Sequence, residues 1–180
     1  YEQVYTVTQH ARETGYTSVN YDLIYGLPLQ TFDSVKDTME KVRRLNPDRI
    51  AFYSYAHVPW MKPGQRKFTE LDLPDGDAKR MLYEGGREML EEAGYTEVGM
   101  DHFARRDDSL FQAAQSGKLH RNFMGYTTSN SQLLLGLGVS AIGDTWRAFG
   151  QNVKVVEEYT SLVNSGKIPL YRGHFLDDED

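Results

Sequence analysis

The sequence has no cysteine among its 180 residues. Disulfides, thiolate metal sites and cysteine nucleophiles are therefore excluded within it, and with nothing pointing to an oxidising compartment a cytoplasmic setting is expected. Long apolar runs are missing too. No stretch approaches the roughly 20 residues that a membrane-spanning helix needs, and the start, Tyr1-Glu2-Gln3, has neither the basic nor the apolar region of a signal peptide. Positive charge is not in excess: the formal net charge is -6, which argues against a nucleic-acid partner, because phosphate contacts require clustered Lys and Arg. There is no internal repeat, no low-complexity segment, and no pair of histidines at the helical spacing of a zinc site. An initiator Met is also absent, and the chain closes on the acidic run Leu176-Asp177-Asp178-Glu179-Asp180, so both ends are compatible with a piece of a larger polypeptide.

What is present reads as α/β. Val19 to Pro28 crowds β-branched, aromatic and aliphatic residues between Gly15 and Gly26, the pattern of a parallel strand covered on both faces. Asp22 breaks that pattern. A carboxylate is costly to bury unless it is paired or hydrogen-bonded, so a ligand is expected to satisfy Asp22. A helix is expected from about Asp33 to Leu45, capped by Thr31 or Asp33, with Val35, Met39, Val42 and Leu45 on one face and Asn46-Pro47 as its stop. Arg49 to Ala56 reads as a second strand, which makes a right-handed βαβ unit with two parallel neighbours. A surface loop over 60–72, a helix to about Ala93 interrupted in character by Gly85-Gly86, and a third strand over 95–100 follow. From Arg105 onward the pattern turns polar with scattered aromatics. Leu133 to Gly143 is rich in small residues, which predicts backbone packed closely against something, including a ligand. A helix over 153–165 and an extended segment over 169–175 complete the chain.

Ligands of parallel α/β folds sit at the C-terminal ends of strands. Three such ends are polar or glycine-rich: Tyr25-Gly26-Leu27-Pro28, Tyr55-Ala56-His57 and Asp101-His102-Phe103. His57 and His102 are each compatible with acid-base work or with a structural bond to a backbone carbonyl. Arg105, Arg106 and Arg121, with His120, form a basic group in an acidic chain and suit an anionic substrate; the alternative is pairing of the arginines with Asp107 and Asp108 on a solvated surface.

Six blocks occur in a fixed order: Asp22-Leu23-Ile24-Tyr25-Gly26-Leu27-Pro28; Asn46-Pro47-Asp48-Arg49; Tyr55-Ala56-His57; Gly99-Met100-Asp101-His102-Phe103-Ala104; Leu119 to Thr128; and Gly136 to Ile142. Together they resemble the oxygen-independent coproporphyrinogen III oxidases, radical S-adenosylmethionine (SAM) enzymes of haem biosynthesis. The resemblance runs from Gly15 to Asp178. It implies the C-terminal portion of a partial (β/α) radical SAM barrel with parallel strands over 1–104, and an adjoining segment over 105–180 that covers the barrel mouth. The related haem chaperones share the Asp-Leu-Ile-Tyr-Gly-Leu-Pro strand, whereas Met100 to Ala104 and His120 to Phe123 resemble the oxidases.

The implied reaction is oxidative decarboxylation of two propionates of coproporphyrinogen III to the vinyls of protoporphyrinogen IX, by a 5′-deoxyadenosyl radical that a 4Fe-4S cluster generates from SAM, with an electron acceptor taking the remaining electron. By matching motif, Asp22 and the backbone around Ala56 are expected to bind SAM and Ile142 to lie against a second SAM. Arg105, Arg106, His120 and Arg121 are candidates for the tetrapyrrole propionates. The family's three-cysteine cluster motif has no counterpart here, so no metal ligand is expected in this chain, and the isolated polypeptide is predicted to be inactive and to self-associate through uncovered strand edges. The alternative is a non-catalytic haem- or porphyrin-binding chaperone on the same scaffold.

Overall fold

The computed structural model describes residues 1–122 and 125–178, and these divide into two compact units, 1–119 and 120–180. Phe123, part of one of the motifs above, lies outside the described residues. The polar turn in composition at Arg105 is not the boundary between units. Residues 105–119 pack with the first unit, because Asp108 is 7% exposed and accepts from Arg49 Nε at 2.8 Å and Ser18 Oγ at 2.8 Å.

The first unit runs α1 (Glu2–Glu13), β1 (Asn20–Tyr25), α2 (Phe32–Leu45), β2 (Arg49–Ser54), α3 (Gly76–Glu92), β3 (Tyr95–Gly99), β4 (His102–Arg105) and α4 (Ser109–Gln115), with two short 3-10 turns between β2 and α3. Thr31 caps α2: its hydroxyl accepts from the Ser34 N–H at 3.3 Å, and the Ser34 hydroxyl accepts in turn from the Thr31 N–H at 3.1 Å. Val35, Met39 and Val42 bury the expected stripe, and Asn46 ends the helix in the left-handed conformation at φ 50°. Helix α3 passes through Gly85-Gly86 unbroken. The Phe32 and Phe52 rings occupy the space where side chains would stand, so these glycines serve close packing.

β1 and β2 are parallel and in register, Asn20 opposite Arg49 through Tyr25 opposite Ser54, as the βαβ reading requires. The third strand departs from it. After Gly99 the chain reverses through Met100 (φ 48°) and Asp101, and β4 inserts antiparallel between β2 and β3, giving the order β1-β2-β4-β3. The sheet is therefore mixed, with one parallel pair. Its packed face carries Ile50, Phe52, Phe103 and Tyr95 against Val35, Met39, Val42, Leu82 and Leu90 of α2 and α3, and partly buried Tyr21, Leu23 and Tyr25 join that core. Burial of this apolar surface is the main stabilising term of the unit.

The second unit holds the hairpin β5 (His120–Asn122) and β6 (Gly125–Thr127), then β7 (Ile142–Thr145), β8 (Ala148–Asn152), α5 (Val156–Asn164) and β9 (Leu170–Phe175). The last three strands form an antiparallel sheet in the order β7-β8-β9. The small residues before β7 pack on the chain's own backbone. A side chain at Gly136 would meet the Ile142 carbonyl at 2.8 Å, and the Asn152 amide donates to the carbonyls of Gly136 and Gly138 at 2.9 Å each. The close approach expected from the sequence is thus real, and the backbone at the start of β7 takes part in it.

Candidate functional site

Asp22 lies on an exposed face. β1 is an edge strand in its sheet, and its side chains alternate: Tyr21, Leu23 and Tyr25 are partly buried toward the core, while Asn20, Asp22 and Ile24 face outward. The expectation of a strand covered on both faces with a charge stranded inside it is overturned. One face of β1 is open, so water reaches the carboxylate. The Asn20 amide donates to Asp22 Oδ1 at 2.8 Å, as residues two apart on one strand face can. A carboxylate with one such donor keeps acceptor capacity for a ligand's hydroxyl or ammonium group.

Because partners in register share a face, Ala51 and Tyr53 of β2 stand on the same side as Asp22, and so does His102 of β4, which is opposite Ala51. The Tyr53 and His102 rings meet edge to face, 5.9 Å between centroids at 86°. The Tyr53 phenol is pushed above its ordinary range, first by burial and then by the carboxylates of Asp22 and Asp101.

The three strand ends singled out in the sequence gather at one end of this sheet. Tyr55 N–H donates to Tyr25 O at 2.8 Å, and Phe52 N–H donates to Asp101 O at 2.7 Å, which ties the turn before β4 to β2. The tight turn after β1 is shaped by Gln30, whose side-chain oxygen accepts from the N–H groups of Gly26 at 2.6 Å and Leu27 at 3.1 Å. Gly26 has φ 79°, the left-handed region that favours glycine, and a side chain there would also displace the Lys79 stem, 2.7 Å from its Cβ. Lys79 crosses above it to donate from Nζ to Tyr55 O at 2.8 Å. Gln65 holds the loop after β2, donating to Ala56 O at 3.1 Å and accepting from the Val58 N–H at 2.6 Å. Ala56 itself is exposed. A cavity of about 510 Å³ opens beside these ends, lined by Gly26, Tyr55, His57, Glu70, Asp75 and Lys79 among others. Gln30 was not singled out in the sequence, although it had a local signal, lying four residues from the turn it closes. Lys79 and Gln65 had no such signal, since nothing local marks a side chain that works across such a distance.

The arginines fare differently. β4 runs antiparallel to β2, and Arg105 N–H bonds Asp48 O at 3.0 Å, so Arg105 and Arg106 lie at the N-terminal end of β2, away from the gathered strand ends. Arg105 Nη1 is committed to Asn46 Oδ1 at 2.6 Å and its Nε to Asp107 at 3.3 Å. Arg105 is held in the surface pairing that the sequence left open as the alternative, to Asp107, and Arg106 is exposed beside it. Asp101 lies in the turn after β3, and His102 begins β4. His120 and Arg121 are exposed on β5 and Ile142 is half-buried at the start of β7, all three in the second unit. Among the described residues no group of three His, Cys, Asp or Glu is placed to hold a metal ion. No described helix is long and apolar enough to cross a membrane.

No family model matches the chain. Curated relatives do. It is 44% identical over 99% of its length to the oxygen-independent coproporphyrinogen III oxidase of Escherichia coli, and spans 39% of that protein. The oxidases of the same name from Cereibacter sphaeroides and Helicobacter pylori are 42% identical over the full chain, which spans 40% and 39% of them. The chain thus spans about two fifths of the length of the curated relatives it matches. A solved structure described as coproporphyrinogen III oxidase from Escherichia coli, a radical SAM enzyme, superposes with a TM-score of 0.90 at 44% identity, over 98% of this chain and 41% of that one. The α/β fold described above is that of the matched part of that enzyme.

Proposed function

We propose, from the premise that this chain is homologous throughout its length to a segment of the oxygen-independent coproporphyrinogen III oxidases, that it contributes one wall of the SAM site in an enzyme that oxidatively decarboxylates coproporphyrinogen III. The observation that carries the proposal is the outward-facing Asp22 carboxylate on the open face of a sheet whose strand ends are drawn together beside exposed Ala56. The residues suit the cofactor. Asp22 offers oxygens to a ribose hydroxyl or an ammonium group, and the Gln65 clamp fixes the backbone at Ala56. When bound, SAM supplies the hydrogen-abstracting chemistry of the reaction. The chain's own part is to bind and orient it, with Lys79 and Gln30 holding the two strand ends in place. A 4Fe-4S cluster does not fit this chain, which has no thiolate to hold one, and no step is assigned to it here.

The tetrapyrrole substrate, an electron acceptor, a cytoplasmic setting and self-association belong to the same proposal. In the second unit, exposed Leu135, Leu137, Ile168 and Phe175 support a covered surface in the assembled protein. Ile142 as a contact to a second SAM, and His120 with Arg121 toward propionates, complete the assignment. The test is anaerobic turnover by the whole enzyme carrying this segment: formation of protoporphyrinogen IX from coproporphyrinogen III that depends on SAM. Absence of SAM-dependent turnover with an intact cluster would remove it.

A further inference from the structure

Two ring side chains, Tyr53 and His102, stand beside Asp22 on the open face. One repeat beyond Asp22 and Ala51, toward the strand C-termini, come Ile24 and Tyr53, and Ala51 is opposite His102. With strands about 4.8 Å apart and alternate residues about 6.8 Å apart along a strand, the Tyr53 backbone lies about 8 Å from that of Asp22, and the His102 backbone about 10 Å from it. That is the span of a nucleoside. A sugar held at the Asp22 carboxylate has its flat base within reach of the Tyr53 ring. The ring is held as well as placed: Tyr53 is partly buried, and His102 meets it edge to face at 5.9 Å. Asp22 itself is exposed and Tyr53 keeps part of its surface open, so a ligand can reach both.

We propose that Tyr53 is the aromatic wall against which the base of the Asp22 ligand lies, and that His102 is a positioning residue that sets the angle of the Tyr53 ring. The inference rests on Asp22 contacting SAM. Base-aromatic contacts are sensitive to loss of the ring and tolerant of loss of a hydroxyl, which separates this role from a hydrogen-bonding one.

The experiment is titration of the full-length holoenzyme with S-adenosylhomocysteine by calorimetry. Tyr53→Phe is expected to bind within about 2-fold of the parent, Tyr53→Leu about 10-fold or more weaker, and His102→Leu between the two. Unchanged affinity for Tyr53→Leu with weakened affinity for Asp22→Asn overturns the role of Tyr53 alone; unchanged affinity for both overturns the Asp22 contact as well. A second measurement needs no variant and decides the matter if Tyr53→Leu does not fold. Photolabelling of the unmodified holoenzyme with an 8-azidoadenine analogue of SAM is expected to mark Tyr53 within the tryptic peptide 50–66. Label confined to other residues overturns the proposal.

Discussion

Tyr95→Phe tests how the buried end of the sheet is stabilised. The Tyr95 side chain is 3% exposed, and its hydroxyl donates to the Pro47 carbonyl at 2.6 Å, joining the start of β3 to the turn that ends α2. Burial, as the largest influence, pushes this phenol up to about 12 from 10.0. In the native state Tyr95 keeps its proton up to that pH, whereas the unfolded chain releases it near pH 10. The unfolded state therefore binds fewer protons between pH 10 and 12, and stability falls as pH rises through this window. A rise of about two pH units corresponds to roughly 3 kcal/mol, all of it retained below pH 10. Removing the hydroxyl has two separable effects. At pH 7, Tyr95→Phe is expected to destabilise by about 1–2 kcal/mol, because the Pro47 carbonyl loses a buried donor. Near pH 12 the difference is expected to vanish or reverse, since phenylalanine cannot ionise. Urea unfolding of both proteins, followed by circular dichroism from pH 7 to 11.5, measures the gap. A gap that stays constant across the alkaline range would refute the reasoning.

Gly86→Ala brings a Cβ to 2.6 Å from the Phe52 ring and 3.2 Å from the Met39 methyl, inside a full core. The gain in helix propensity of about 1 kcal/mol is outweighed, and a net destabilisation of about 1–3 kcal/mol is expected by urea unfolding. Asp108→Asn removes the charge from a carboxylate that is 3% exposed and accepts from Arg49, Ser18 and the Leu110 N–H. A loss of about 2–4 kcal/mol is expected, and a double-mutant cycle with Arg49→Met should recover part of it; strict additivity would contradict a coupled pair.

How much of this was legible depends on the range of the interactions. α2 was readable to its cap and its buried stripe, because Thr31, Ser34, Val35, Met39 and Val42 act within a few turns of one helix. The β3–β4 reversal was not. It turns on Met100 at φ 48°, a residue with no turn signature, and β4 mixes His102 and Arg105 with Phe103 and Ala104, so its alternation is weak. That one reversal decides where Arg105 and Arg106 lie. Asp22 was singled out for a reason that does not hold. It was read as a buried charge because most of its neighbours in the strand are apolar or aromatic, yet a strand covered on one face buries only alternate residues. Tyr53 and His102 were separated by 49 positions in the sequence, and only the register of β2 against β4 brings them onto the face of Asp22.

The central claim is that Asp22 holds SAM, and its affinity for the whole enzyme with Asp22→Asn measures that most directly. Charge-assisted hydrogen bonds are worth about 1.5–3 kcal/mol, so loss of the carboxylate predicts a Kd about 10- to 100-fold weaker with the protein's melting temperature little changed, because Asp22 is exposed and is bonded within the chain to Asn20. An unchanged Kd would contradict the account.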